Sequence, residues 1–241
     1  MRLPRPPELR LRIPQLPASL LWDHNAHYHR WLLRQLPAAP DQVLDAGCGA
    51  GQLTASLAQR ARRVDAVDAA PAMIERARTL WPGAAAVRWI GGDLLDPDLP
   101  LAAGGYDAVT AVSSLHHLPL RPGLRRLASL VRPGGVLAVV GLYRLATPAD
   151  FAFEAVRPPA NAVAGAVLAL RGRAGKPHET GMPVRDAADS LPDIRAAARD
   201  LTPGAQVRAR LFWRYTLLWR RPASPAAPGP TPSLAKDATN R

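Results

Sequence analysis

The sequence predicts an α/β fold: a mostly parallel sheet, doubly wound, with helices on both faces. Two observations carry this. Between residues 43 and 143, short apolar runs of strand length alternate with amphipathic runs of helical spacing. The first of these strands runs straight into a Gly-x-Gly turn that opens a helix. Strands separated by helix-length crossovers must lie parallel, and the crossovers must cover the sheet.

The elements follow in order. Residues 1–20 are rich in Pro and Arg and read as an irregular arm. Residues 21–36 place Tyr28, Trp31, Leu32 and Leu36 at helical spacing, and Pro37 and Pro40 stop that helix. VLDAG is the first strand and LTASLAQRA the amphipathic helix after it. RVDAVDA is the second strand, and Pro71 opens the helix AMIERARTL. AVRWI is the third strand, ending at Gly91-Gly92-Asp93, and YDAVTAVSS is the fourth. GLRRLASLV is a helix closed by Arg132-Pro133-Gly134-Gly135, and VLAVVGLY is the fifth strand. Residues 144–182 show no strand and carry prolines at 148, 158, 159 and 177. They read as a helical insert over the C-terminal edge of the sheet. PDIRAAARDL is a further helix, and VRARLFW and RYTLLWRR are strands close enough to form a terminal hairpin. Residues 222–241, rich in Pro, Ala and Ser, read as a disordered tail. Residues 21–221 therefore form one expected domain.

Composition narrows the function classes. The formal net charge is +12, almost all of it arginine, since Lys176 and Lys236 are the only lysines. The arginines are scattered at helical spacing beside apolar residues, as on solvated helix faces. A nucleic-acid partner is therefore not expected. The single cysteine, Cys48, rules out an intrachain disulfide and fits a reducing cytoplasm. The N-terminal MRLPRPPELRLRIP lacks the apolar core of a signal peptide. The stretch from Ala160 to Leu170 is too short to span a bilayer. The expectation is a cytoplasmic protein without a transmembrane segment.

The glycine turn has two readings. Glycines tolerate positive φ and let a backbone approach a ligand, and the helix start offers N–H groups to an anion. A dinucleotide fingerprint requires Gly-x-Gly-x-x-Gly. Here that third position is Gln52, and the third glycine comes one residue early, at Gly51. Asp45 at the end of the strand would repel a pyrophosphate, whereas it suits a ligand carrying an amino group and a sulfonium.

Val43-Leu44-Asp45-Ala46-Gly47-Cys48-Gly49-Ala50-Gly51 resembles the first motif of the class I S-adenosylmethionine-dependent methyltransferases. Asp68, Gly92-Asp93-Leu94, Tyr106-Asp107 through Leu115-His116-His117-Leu118, and Leu130-Val131-Arg132-Pro133-Gly134-Gly135 resemble the later motifs in order. The resemblance covers residues 43–140 and implies a Rossmann-like sheet with an antiparallel last strand. It implies S-adenosyl-L-methionine as cofactor, with Gly47, Gly49 and Gly51 in the loop. Asp45 is then expected near the methionine amino group, and Asp68, followed by Ala69, on the ribose hydroxyls. Asp93 and Leu94 are expected at the adenine. HNAHYHRWLLRQLP looks like a lid helix, from which Tyr28 or His27 would reach the cofactor carboxylate.

Bland readings stand beside these roles. Met73 either packs on adenine or belongs to the core. Ser113 lies at the end of the fourth strand, where a cofactor contact is expected. His116 and His117 lie on the expected substrate-facing loop, and either is a candidate general base. Alternatively one packs and the other faces solvent. Cys48 reads as a small residue beside the cofactor rather than a nucleophile, and Asp107 as structural. His24, His27 and His29 do not share one helix face, and no metal site is expected. Trp213, Tyr215 and Trp219 alternate as sheet-packing residues.

The expected activity is methyl transfer to a small-molecule acceptor, with a lid and insert excluding water. A nicotinamide-dependent oxidoreductase and a non-catalytic cofactor-binding module are the rivals. No N/D-P-P-Y motif of the base-flipping enzymes follows the fourth strand; Ser113-Ser114-Leu115-His116 stands there.

Overall fold

The computed structural model describes residues 24–148, 150, 157–170 and 186–223. The expected N-terminal arm, much of the 144–182 insert and the tail beyond residue 223 lie outside the described residues.

The described chain runs α1 (His24–Gln35), β1 (Gln42–Ala46), α2 (Gln52–Ala58), β2 (Arg63–Asp68), α3 (Pro71–Leu80), β3 (Val87–Gly91) and β4 (Tyr106–Val112). A short 3-10 turn (Leu115–His117) leads into α4 (Leu120–Leu130) and β5 (Val131–Gly141). After these come α5 (Arg157–Leu170), α6 (Leu191–Leu201), β6 (Gln206–Arg210) and β7 (Arg214–Arg220). The strands form one seven-stranded sheet of order β3-β2-β1-β4-β5-β7-β6. The first five strands are parallel, β7 runs antiparallel to β5, and β6 antiparallel to β7. The chain winds outward from β1 through β2 to β3, then restarts at β4 and winds the other way. The crevice between the ends of β1 and β4 is the topological switch point, where open α/β sheets bind ligands.

Both faces of the sheet are buried, which is why β1, β4 and β5 read as nearly continuous apolar runs. Alternate residues divide between two layers. Leu44, Val109, Leu137 and Val139 face one side with Leu124 and Leu127 of α4 and Ile194 of α6. Val43, Ala108, Ala138 and Val140 face the other with Leu32 of α1 and Leu53 and Leu57 of α2. Helix α6 starts in a reciprocal cap: Ser190 accepts from the Asp193 N–H, and the Asp193 carboxylate accepts from the Ser190 N–H.

Three departures from the sequence reading have local causes. The Arg132-Pro133-Gly134-Gly135 turn is an irregular part of β5, which begins at Val131 paired with Tyr106. The register shifts between Tyr106 and Ala108, and Asp107 fills the gap. Its carboxylate accepts the N–H groups of Asp41 and Gln42 at 2.7 and 2.8 Å and pairs with Arg132. Strand β5 ends at Gly141, where a Cβ would meet the Tyr215 ring at 2.5 Å. Pro158 and Pro159 do not interrupt a helix but sit in the first turn of α5, where missing N–H groups cost nothing. Among the described residues, no helix is long and apolar enough to cross a membrane.

Asp107 is thus a structural anchor, joining the start of β1 to β4 and β5. Asp107→Ala would leave two backbone donors without their acceptor at a buried site. A loss of about 2–4 kcal/mol is expected, at 1–3 kcal/mol for each stranded group. Urea denaturation would check it; a loss under 1 kcal/mol would contradict the anchoring role.

Candidate functional site

At the carboxyl ends of the parallel strands lies a cavity of about 390 Å³. Its walls include Gly47, Gly49, Asp68, Ala69, Met73, Asp93, Leu94, Ser113, His116 and His117, all singled out from the sequence. The topology brings them together because each lies at or after the end of β1, β2, β3 or β4. Tyr28, Asp45 and Gly51 are placed elsewhere.

The loop after β1 holds its shape by crowding and by hydrogen bonds. Gly47 has φ 76°, and a Cβ there would lie 2.2 Å from the Ser114 Cβ. Ser114 is itself fixed, donating its hydroxyl to the Ala46 carbonyl at 2.7 Å. The N–H groups of Gly47 and Cys48 both go to the Val67 carbonyl, and that of Gly51 to the Cys48 carbonyl. The Gly49 N–H donates to Asp68 at 2.8 Å. These four loop donors are engaged within the protein.

Asp68 ends β2 with one carboxylate oxygen on Gly49 N–H and the other on Ala70 N–H at 2.9 Å. Each oxygen keeps a further lone pair for a ligand hydroxyl. The side chain therefore ties the loop to the cavity rim while facing the cavity. Asp93 accepts the Leu95 N–H at 2.9 Å, which orients its carboxylate. Asp96 makes the same turn with Asp98, and neither lines the cavity. Met73 is 6% exposed, and its remaining surface lines the cavity. His116 and His117 sit on the 3-10 turn with ring centroids 4.2 Å apart.

Asp45 is buried behind the loop, not exposed to the cavity. Its oxygens accept the hydroxyls of Thr54 at 2.6 Å and Thr110 at 3.2 Å. Burial pushes its carboxyl up to about 6; the two threonine bonds oppose this, and the Asp68 charge adds to it. The unfolded value is about 3.9. Between these values the folded chain holds a proton that the unfolded chain releases, so stability from this group falls as pH rises toward 6. The wild-type chain is expected to lose roughly 2 kcal/mol relative to Asp45→Asn between about pH 4 and pH 7. Denaturant titrations of both proteins at the two pH values test this. Equal pH dependence would refute it.

The other two displaced residues have equally plain causes. The Tyr28 hydroxyl donates to the Leu211 carbonyl at 2.7 Å, so the ring anchors α1 to the terminal hairpin instead of reaching a ligand. Gly51 (φ 80°) packs under Trp89, whose ring would lie 2.5 Å from a Cβ. Trp81 closes the same corner by donating to the Ala50 carbonyl. The Cys48 thiol is buried, burial pushes its pKa far up, and it does not act as a thiolate. His24 stacks on Phe212, and His27 meets Tyr28 and Phe212 edge-on. Burial lowers the pKa of His27.

Two polar residues of the cavity wall, Asn25 and Arg214, were not singled out from the sequence. Asn25 reaches it from α1 and Arg214 from the start of β7. Arg214 donates to the Asn25 amide oxygen at 2.9 Å across 189 positions of chain. Neither residue carries a local signal; their neighbour comes from the far end of the fold.

The methyltransferase domain family matches residues 43–135 of this chain. An uncharacterized methyltransferase of Mycobacterium tuberculosis is 34% identical over 204 residues, covering 83% of this chain and 98% of that protein. The chain belongs to the class I S-adenosylmethionine-dependent methyltransferases. This methyltransferase is also 35% identical over 146 residues to a ubiquinone biosynthesis O-methyltransferase of Xanthomonas axonopodis, covering 59% of the chain and 58% of that protein. Its fold matches that of an N-methyltransferase from Bradyrhizobium japonicum solved with S-adenosyl-L-homocysteine. The TM-score is 0.53 at 18% identity, over 82% of this chain and 87% of the other. The nicotinamide alternative gains no support from the loop or from these relatives.

Proposed function

We propose that this methyltransferase transfers a methyl group from S-adenosyl-L-methionine to a small-molecule acceptor, and that it does so in the cytoplasm. The observation that carries the reading is the pairing of Asp68 with the Gly47–Gly49 loop on one wall of the cavity. A carboxylate that offers only acceptors, beside that loop, suits an adenosyl ribose and a cationic tail. When bound, S-adenosylmethionine supplies a methyl group on a sulfonium, a leaving group that needs no acid.

The protein's part is positioning. Asp68 would accept the ribose hydroxyls. Asp93 and the segment through Leu94 would meet the adenine, with Met73 against its face. Gly47 and Gly49 would allow the amino-acid tail to pass close to the backbone, and Ser113 would meet the ligand beyond β4. His116 and His117, at the cavity wall, are the candidates to take a proton from the acceptor. Helix α1 carries Asn25 to the cavity, which supports its reading as a lid. The cavity volume supports a small acceptor, the scattered arginines argue against nucleic acid, and the lone Cys48 supports the cytoplasmic reading.

Isothermal titration with S-adenosylmethionine and S-adenosylhomocysteine tests the cofactor role. Absence of binding at millimolar ligand, by a folded protein, would sink it. Glutamine variants of His116 and His117 test the base. A general base contributes on the order of 10²–10⁴ in rate. One variant should therefore lower kcat at least tenfold, with a changed pH profile. If both keep kcat within threefold, transfer proceeds by positioning alone.

A further inference from the structure

A second hollow lies between helix α1 and the terminal hairpin. It holds about 310 Å³ and is lined by His27, Tyr28, Arg30, Trp31, Arg34 and Arg210. It shares no lining residue with the cavity at the strand ends. Its volume falls at the lower end of the range for small-ligand sites. Its walls carry three guanidiniums and no carboxylate.

The fold gathers these arginines without supplying them with acids. Arg30 and Arg34 stand four residues apart on α1 and share a helix face, where like charges repel. Arg34 lies in the last turn, where the helix dipole favours a cation, but Arg30 and Arg210 have no such support. Arg210 ends β6. Its Nε donates to the hydroxyl of Thr216 at 3.0 Å, and Thr216 is buried on β7. That bond sets the direction of the guanidinium and leaves its two terminal nitrogens for another acceptor. Neither α1 nor β6 contains an acidic residue. Among the described residues, the arginines in ion pairs are Arg62, Arg78, Arg88, Arg121 and Arg132, and none of these lines the hollow.

Three cations in one concavity focus a positive potential that draws an anion inward. Guanidinium forks match the oxygens of a phosphate, and a phosphate monoester carries nearly twice the charge of a carboxylate at neutral pH. We propose that this hollow binds the phosphate group of a small phosphomonoester, through Arg30, Arg34 and Arg210, with the Trp31 indole beside it. Such a ligand bridges α1 to β6. It thereby holds α1, the helix that brings Asn25 to the cofactor cavity, against the hairpin. The site stands apart from the methyl-transfer reading and is tested without it.

The full chain is titrated with phenyl phosphate, with inorganic phosphate and with phenol as the uncharged control, by calorimetry. Phenyl phosphate should bind about tenfold or more tightly than phenol. Arg30→Met and Arg210→Met should each weaken it by about tenfold, the loss of one hydrogen bond to a charged group. The double variant Arg195→Met/Arg199→Met removes two exposed charges from α6 and should stay within about threefold of wild type. No preference over phenol, or a loss in the α6 variant as large as in the hollow, overturns the proposal. Saturating S-adenosylhomocysteine should leave phenyl phosphate binding unchanged; displacement would place the phosphate in the cofactor cavity and overturn it too. Phosphatidic acid vesicles and a single-stranded oligonucleotide supply the other sources of phosphate. If Arg210→Met weakens binding to either while neither small phosphate binds at about 10 mM, the patch serves a macromolecule and the proposal fails. Should Arg210→Met not fold, Arg30→Met and Arg34→Met, both at exposed positions, still decide.

Discussion

Asp68→Ala is expected to weaken S-adenosylhomocysteine binding by about 100- to 1,000-fold, since hydrogen bonds to a charged group contribute roughly 1.5–3 kcal/mol each. Two losses add in this variant. The ribose hydroxyls lose their acceptor, and the Gly49 N–H loses the bond that ties the loop to β2. Asp68→Asn separates them, because its amide oxygen can keep one donor while the charge is gone. It should fall between wild type and alanine. His117→Ala, at the far wall, should change cofactor affinity by less than tenfold. Titration calorimetry on the three variants gives the order directly. If His117→Ala proves the more damaging, the assignment of Asp68 to the ribose is wrong. A melting curve for each variant checks that the loss is one of binding rather than of fold.

Gly47→Ala should be the most destabilising single methyl that can be added to the loop. A residue with a Cβ costs about 1–2 kcal/mol in the left-handed region, and forced overpacking adds about 1–3 kcal/mol. The new methyl would sit 2.2 Å from Ser114 Cβ, and Ser114 cannot retreat without breaking its bond to Ala46. A total near 3 kcal/mol corresponds to a fall in Tm of about 6–12 °C for a chain of this size. Gly134 supplies the control. Its φ is 78°, yet nothing lies within 4 Å of an added Cβ. Gly134→Ala should therefore show the conformational cost alone. The difference between the two variants measures the contact with Ser114. Equal losses would mean that the clash relaxes and only the backbone angle matters.

The alternation of strands and helices, the glycine turn and the acids at the ends of β2 and β3 were all legible in the sequence. Each is a local property. Period and length identify a strand, and position at a strand end identifies the sheet edge to which a side chain comes. That is why Asp68, Asp93, Ser113 and the two histidines meet at one cavity as expected. Burial and partner choice are not local. Asp45 reads as a ligand-facing carboxylate, but its neighbours Thr54 and Thr110 come from α2 and β4 and take both oxygens. Tyr28 reads as a lid residue, but the hairpin offers its hydroxyl a carbonyl 183 positions away.

The sequence by itself determined the family, the cofactor and a mostly parallel, doubly wound sheet with an antiparallel last strand. Only the tertiary structure decided which distant residues join the cavity wall. Asn25 and Arg214 lie near opposite ends of the described chain. They meet because β7 returns antiparallel beside β5 and because Phe212 and Trp213 adopt a backbone that nothing in their side chains announces. Such a turn is stable only through what packs on it, here the stacking of His24 on Phe212 and the burial of that ring. Contacts of that range depend on the assembled fold, so no window of sequence carries them.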